Sequence, residues 1–280
     1  MIKKLMVALD GSEDAERALW WATQVAGREK ALVVLFRAVD TAILEPEFIP
    51  STVADARNYL QRMEAEINQA GLPAKVVVRQ GKPATAIVKA ATEEGCDLIL
   101  MTTRDGSGVK RRTIGGVTEQ VLRTSPIPVL PVRSRTRPAR NGHVRRVIVP
   151  VDGSGAAERA HDWAAGLARM LKAQLVFLHV YPANRAEATF EALRMRTVRL
   201  CRLLRKGSLK ARFAVRSGDA ARRILGFSRK NDLIVTASRG RGGFKRWIFG
   251  SVAEKLVHEA RVPVLVYKTF SRVKGKARTA

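Results

Sequence analysis

"KKLMVALDGSEDAERALWWA" (residues 3–22) and "RRVIVPVDGSGAAERAHDWA" (residues 145–164) decide the fold, because the second restates the first. Each is an apolar, β-branched run ending in Asp-Gly-Ser, followed by Glu-Arg-Ala and an aromatic residue about a turn later. Asp10 matches Asp152 at an offset of 142. Further on, "GCDLILMTTR" (95–104) matches "KNDLIVTASR" (230–239), and "PIPVLPV" (126–132) matches "RVPVLVY" (261–267), both at an offset of 135. A period this long is not a solenoid repeat, so the chain reads as two copies of one domain. The falling offset makes the second copy shorter, and the stretch Asp40–Gln80, with its "ILEPEFIPS", is the candidate for the extra length. The copies are read as 1–133 and 145–271, with a linker at 134–144 inside the Arg-rich "RSRTRPARNGHVR" and a basic tail at 272–280.

Each copy alternates strand and helix. Leu5–Leu9 is a continuous apolar run of buried-strand type. Ser12 can cap the following helix, Glu13 and Asp14 suit its positive end, and Gly27 is read as its C-cap. "ALVVLFRAV" is a strand, and a helix is expected at about Val53–Ala70, ended by Gly71-Leu72-Pro73. "KVVVRQ" is a strand, then come a helix from Pro83 to about Glu94, the strand "DLILMTT", a helix over about Gly116–Arg123 and the strand "PVLPV". This alternation predicts an α/β fold with a parallel sheet covered on both faces, and ligands at the carboxyl ends of its strands.

Composition bounds the function. The chain has 280 residues, 46% of them hydrophobic, enough for two packed domains. No run of about 18 uncharged apolar residues is present, so no membrane-spanning helix is expected, and the N-terminal apolar run is too short for a secretory signal. Cys96 and Cys201 show no paired spacing, which favours reduced thiols and a cytoplasmic setting. His143, His161, His179 and His258 have no ligand spacing, so a metal centre is not expected. The net charge of +26 is uneven: residues 1–140 carry 21 basic and 16 acidic side chains, and residues 141–280 carry 30 and 9. A basic second half is attractive to polyanions or an acidic protein, and equally compatible with a solvated surface.

A second stretch raises the question of a ligand. "TASRGRGGFKRWIFGS" (236–251) sets glycines among Arg239, Arg241, Lys245 and Arg246 and ends on Gly250-Ser251 before the helical pattern "VAEKLVHEA". A helix N-terminus offers unpaired N–H groups and about half a positive charge to a phosphate, and the Ser251 hydroxyl can add a hydrogen bond. No GxxxxGK[ST] loop, GxSxG elbow or HExxH helix is present, and no Cys/His pair has catalytic spacing.

On these motifs the chain resembles the universal stress protein family in its tandem form. The marks are the strand ending in Val-Asp-Gly-Ser, "FLHVY", "DLIV", and a loop ending in Gly-Ser before a helix and a Pro-Val strand. The resemblance implies two Rossmann-like domains of the adenine nucleotide alpha-hydrolase-like type, each a five-stranded parallel sheet flanked by helices. The ATP-binding branch has a loop reading Gly, two residues, Gly, nine residues, Gly, then Ser or Thr. Here the register gives Ala237, Gly240, Gly250 and Ser251: the spacing is intact and the first glycine is alanine. By resemblance Asp152 faces the ribose or metal side of an ATP that carries Mg²⁺ or is free of it. Pro150 and Val180 line the adenine pocket, and Arg239 and Val252 belong to the phosphate loop. An alanine at 237 that needs φ > 0 would be strained by about 1 kcal/mol. The first copy matches less well. Asp10 survives, but the loop reads Thr102, Asp105, Gly115, Gly116, losing two of three glycines and the hydroxyl. The resemblance therefore implies a nucleotide-binding stress regulator, with ATP hydrolysis slow at most and the ligand mainly in the second domain. It also implies a pseudo-dimer of the two domains through their terminal strands, with a homodimer of the chain as a further option. A nucleotide-free interaction protein and a binder of nucleic acid or anionic surfaces stand as alternatives.

Overall fold

The computed structural model describes residues 2–27, 29–103, 114–133, 143–182, 188–238 and 250–268. The first copy runs β1 (Lys4–Ala8), α1 (Glu13–Ala26), β2 (Leu32–Val39), α2 (Ile49–Gln69), β3 (Ala74–Gln80), α3 (Pro83–Glu93), β4 (Leu98–Thr103), α4 (Gly116–Thr124) and β5 (Val129–Arg133). The second runs β6 (Arg146–Pro150), α5 (Gly155–Met170), β7 (Gln174–Tyr181), α6 (Ala188–Lys206), β8 (Ala211–Ser217), α7 (Ala220–Phe227), β9 (Asp232–Ala237), α8 (Ser251–Glu259) and β10 (Val264–Tyr267). Within each copy the strands are parallel, in the order 3-2-1-4-5.

The two five-stranded sheets are joined. Val266 of β10 pairs antiparallel with Val129 of β5, giving one ten-stranded sheet in the order β3-β2-β1-β4-β5-β10-β9-β6-β7-β8. The sequence makes this possible because both terminal strands are apolar, with Val129, Leu130, Val132, Leu265 and Val266 fully buried. Helices α1, α2, α5 and α6 cover one face, and α3, α4, α7 and α8 the other. On each face a single hydrophobic cluster runs through both copies, so the sheet is sandwiched as a parallel sheet requires.

Local signals explain most boundaries. The Ser12 side chain caps α1 by accepting from the Ala15 N–H at 3.2 Å. Helix α2 starts four residues before the expected Val53, because a 3₁₀ turn over Pro46–Phe48 feeds it and Pro50 sits in its first turn, where a proline's missing N–H costs nothing. Gly27 is not a left-handed cap. It stays right-handed (φ −56°, ψ −40°), and the positive φ of this turn falls at Lys30 (φ 46°). The strand registers locate the length difference between copies. Lys75 and Arg212 occupy matching positions beside Val34 and Val176, an offset of 137. Five of the seven missing residues thus lie between β2 and β3 as expected. The other two lie between β3 and β4, where α7 is shorter than α3.

Candidate functional site

The site is built at the carboxyl ends of β1 and β4 and, in the second copy, of β6 and β9. In the first copy the Leu9 N–H donates to the Phe36 carbonyl at 2.8 Å, carrying the chain past the strand end to Asp10. Asp10 Oδ1 accepts from both the amide (3.0 Å) and the hydroxyl (2.6 Å) of Ser12, which fixes the carboxylate over the start of α1. Gly11 between them has φ +89°, and a Cβ there would stand 3.0 Å from the Arg37 guanidinium. The positive φ is what favours glycine at this position. Across from this turn, the Gly115 N–H donates to Thr103 Oγ1 (3.3 Å), and Thr118 Oγ1 donates to the Thr102 carbonyl (3.4 Å). These bonds bring the start of α4 back to the end of β4.

The result is a cavity of ≈ 380 Å³ lined by Asp10, Phe36, Arg37, Ala38, Gly115 and Gly116, together with Pro83, Ile87, Thr102 and Val117. That volume is within the range of small-molecule sites, about 300–1,000 Å³. The three first-copy residues singled out in the sequence, Asp10, Gly115 and Gly116, therefore meet in one place. Helix α4 begins at Gly116 after Gly115 as an N-cap with no side chain, so its first N–H groups are open to a ligand. Arg37 was not visible to sequence reasoning. It borders both this cavity and an open groove lined by Asp55, Asn58, Tyr59 and Arg62. Its guanidinium lies 5.2 Å from the centre of the Tyr59 ring, and that of Arg62 lies 6.0 Å away. Burial first, and then the Glu16 carboxylate, push the Tyr59 phenol up, so the ring stays neutral beneath the two cations.

The second copy repeats this frame. The Val151 N–H donates to the Leu178 carbonyl (2.9 Å), and Asp152 Oδ1 accepts from the Ser154 N–H (2.9 Å). Pro150 ends β6 beside Leu178, and Val180 lies in β7, partly buried against the core. His179 takes the place of Arg37. Its Nδ1 is 2.7 Å from the Val151 carbonyl, and its ring stacks on Phe190 at 5.6 Å. A cation of the first copy is thus an imidazole in the second. The Gly250 N–H donates to the Ser238 carbonyl at 2.9 Å, and α8 starts at Ser251 with Gly250 (φ −73°, ψ 149°) as an N-cap lacking a side chain. Val252 packs against the core, and Ser251 is exposed. Ala237 is the last residue of β9, paired with Tyr267, and is not among the residues with positive φ, so its methyl carries no backbone strain. Arg239 and Gly240 lie outside the described residues, as do Asp105 and the tail at 272–280.

A family model described as the universal stress protein family matches residues 1–133 and 143–268. The chain belongs to the universal stress protein family. Among curated relatives it is similar to the universal stress protein Rv2623 of Mycobacterium tuberculosis, at 28% identity over 94% of this chain and 95% of the relative. A universal stress protein of Thermus aquaticus is 33% identical over 48% of this chain and 100% of its own length. The fold is shared with a universal stress protein structure from Archaeoglobus fulgidus, with a TM-score of 0.78 covering 96% of this chain and 99% of that one, at 24% identity. Two tandem universal stress protein domains thus build the molecule. Among the described residues no helix is long and apolar enough to cross a membrane.

Proposed function

We propose that this universal stress protein is a regulatory protein that binds ATP or another adenine nucleotide, mainly in its second domain (145–271). The observation that carries this reading is the start of α8. Ser251 and the following N–H groups have no capping side chain, and the Gly250–Ser238 hydrogen bond ties them to the end of β9, next to the β6 turn that bears Asp152. The residues present fit the group. Open amides and a hydroxyl suit phosphate oxygens, Pro150 and Val180 suit the adenine side, Asp152 suits the ribose or a Mg²⁺ companion, and Ala237 is conformationally free of strain. Arg239 and Gly240 complete the phosphate loop in this reading. In the first domain (1–133) the cavity is formed, but Gly116 supplies no hydroxyl, so triphosphate is held poorly there. No side chain is assigned to catalysis, and hydrolysis is slow at most. In this reading the two domains, joined by the linker at 134–144, form an internal pseudo-dimer, which the β5–β10 pairing supports; the protein works in the cytoplasm, with a homodimer of the chain a further level of assembly. The test is mass spectrometry of small molecules released from the purified, denatured protein, followed by calorimetry with ATP. An empty protein with no measurable ATP binding overturns the reading.

A second reading, contact with a polyanion or anionic surface, is favoured by α6. Arg194, Arg199, Arg202 and Arg205 are exposed there alongside Met195 (61% exposed) and Leu203 (57%), and Glu191 pairs with Arg194 at 2.8 Å. The Arg194→Gln/Arg199→Gln/Arg202→Gln variant should lose salt-sensitive binding to DNA or anionic vesicles while keeping ATP affinity. Unchanged polyanion binding makes this face merely solvated.

A further inference from the structure

A cluster of cations gathers beside the amino ends of β6 and β9, the end of the sheet away from Asp152. Three positions that match by strand register are basic in both copies: Lys4 and Arg146 on β1 and β6, Lys75 and Arg212 on β3 and β8, Arg79 and Arg216 on the same two edge strands. In the first copy they are answered from within. Glu94, at the end of α3, pairs with Lys75 at 2.8 Å, and its carbonyl accepts from Lys4 Nζ at 2.6 Å. The Lys75 hydrogen bond leads the effects that hold the Glu94 carboxyl below its ordinary range, and Lys4 and Arg79 add to it. Asp97 accepts from the Lys3 and Lys4 amides.

In the second copy the turn after the shortened α7 carries Arg229 and Lys230, and no carboxylate, before Asp232. Asp232 is 2% exposed and already committed. It accepts Arg146 Nε at 2.9 Å, Arg146 Nη2, and the Arg229 amide at 2.6 Å. The guanidinium carbons of Arg146, Arg212 and Arg216 all lie 5.1–5.6 Å from the centre of one ring, Phe227. The polar contacts of the latter two are neutral: Arg212 Nε to Gln174 Oε1 (3.4 Å) and Arg216 Nη1 to the Val215 carbonyl (2.7 Å). Among the described residues Arg212, Arg216 and Arg229 have no ion-pair partner. Burial, then the charges of Arg146, Arg216 and Arg229, hold the Arg212 guanidinium below its ordinary range, and the opposing charge of Asp232 offsets them only in part.

We infer that the cluster of Arg146, Arg212 and Arg216 around Phe227, with the neighbouring Arg229, binds a phosphate-type oxyanion that takes the place Glu94 fills in the first copy. Guanidinium forks match phosphate oxygens in pairs, and three within reach of one ring suit one or two phosphate groups better than an extended polymer. The phenyl ring holds the forks in place whether or not the anion is bound.

The test is calorimetry at low salt with orthophosphate, pyrophosphate and ATP. The proteins are the parent, Arg212→Gln/Arg216→Gln, Arg229→Glu and Ser251→Ala. The parent should bind pyrophosphate, and both arginine variants should lose at least tenfold in affinity, whereas Ser251→Ala keeps it. Arg229→Glu supplies the missing carboxylate at an exposed position, which makes it informative even if the double variant folds poorly. If only ATP binds and the arginine variants weaken it, the phosphate is that of a nucleotide and the site stands. The inference is wrong if the parent binds none of the three, if the arginine variants bind each as the parent does, or if Ser251→Ala alone removes pyrophosphate binding.

Discussion

Val266 and Val129 face each other across the antiparallel step at which the two parallel halves of the sheet meet. Neither residue is exposed, and the hydrophobic clusters on both faces continue past them.

Cutting the chain should therefore not separate its halves. With a protease site inserted within 134–142, the cleaved fragments should elute together in size-exclusion chromatography. Fragments that run apart would mean that the β5–β10 joint is too weak to matter.

Nucleotide binding should be unequal. Calorimetry should find about one ATP per chain, and Ser251→Ala should weaken it by about 1 kcal/mol, rising to about 3 where the lost partner is a charged phosphate. Two equivalent sites would contradict the asymmetry between Ser251 and Gly116.

The first domain should be repairable. A Cβ on Gly116 would meet nothing within 4 Å, and its backbone is helical, so Gly116→Ser fits without strain. The variant should raise the affinity of the first-domain cavity for phosphate-bearing ligands by up to roughly tenfold, since one hydrogen bond contributes about 1 kcal/mol. Calorimetry in a Ser251→Ala background reads this directly, and no gain would show that the missing hydroxyl is not what limits that site.

Two ion pairs should differ in their effect on stability. Asp232→Ala strands the Arg146 guanidinium, whose side chain is 15% exposed, and should cost about 3–5 kcal/mol in urea unfolding. Lys75→Met breaks a pair whose lysine is half exposed, and should cost under about 1 kcal/mol. Equal losses would argue against burial as the deciding term.

Cys96 gives a pH dependence of known sign. Burial leads the effects that push its thiol from 9.0 up to about 12. The folded state holds the proton more tightly than the unfolded chain, so this contribution is intact below pH 9 and falls as pH rises from about 9 to about 12. Cys96→Ala should flatten that part of the stability curve in urea titrations. The same burial predicts that the native protein resists alkylation at neutral pH, with modification rising on denaturation.

Much of the fold was legible because the repeat fixed the domains and the alternating pattern fixed the elements. Helix α2 starts earlier than expected because Pro50 occupies a first helical turn where no donor is needed. The length difference was assigned to one region, although α7 also shortens, because a net loss of two residues around a helix leaves no composition signal. Of the candidate site, Asp10, Gly115 and Gly116 were implied by the family resemblance, and they line a common cavity. Arg37 was not, because its meaning depends on a close approach to Gly11 that only the folded β2 creates. A comparison of "LFRAV" with "FLHVY" would have flagged it as the counterpart of His179 in the other copy. The cluster around Phe227 was hidden for a similar reason: its arginines are scattered from 146 to 216 and become neighbours only through strand register.

The seam between β5 and β10 also changes which law governs the assembly. Two separate chains that met through such strands would obey mass action and come apart on dilution. Here both strands belong to one chain, so their encounter is unimolecular, at an effective concentration in the millimolar range set by the short connection between the halves. The joint holds at the lowest expression level, and control of this protein by its own abundance must act through some other surface.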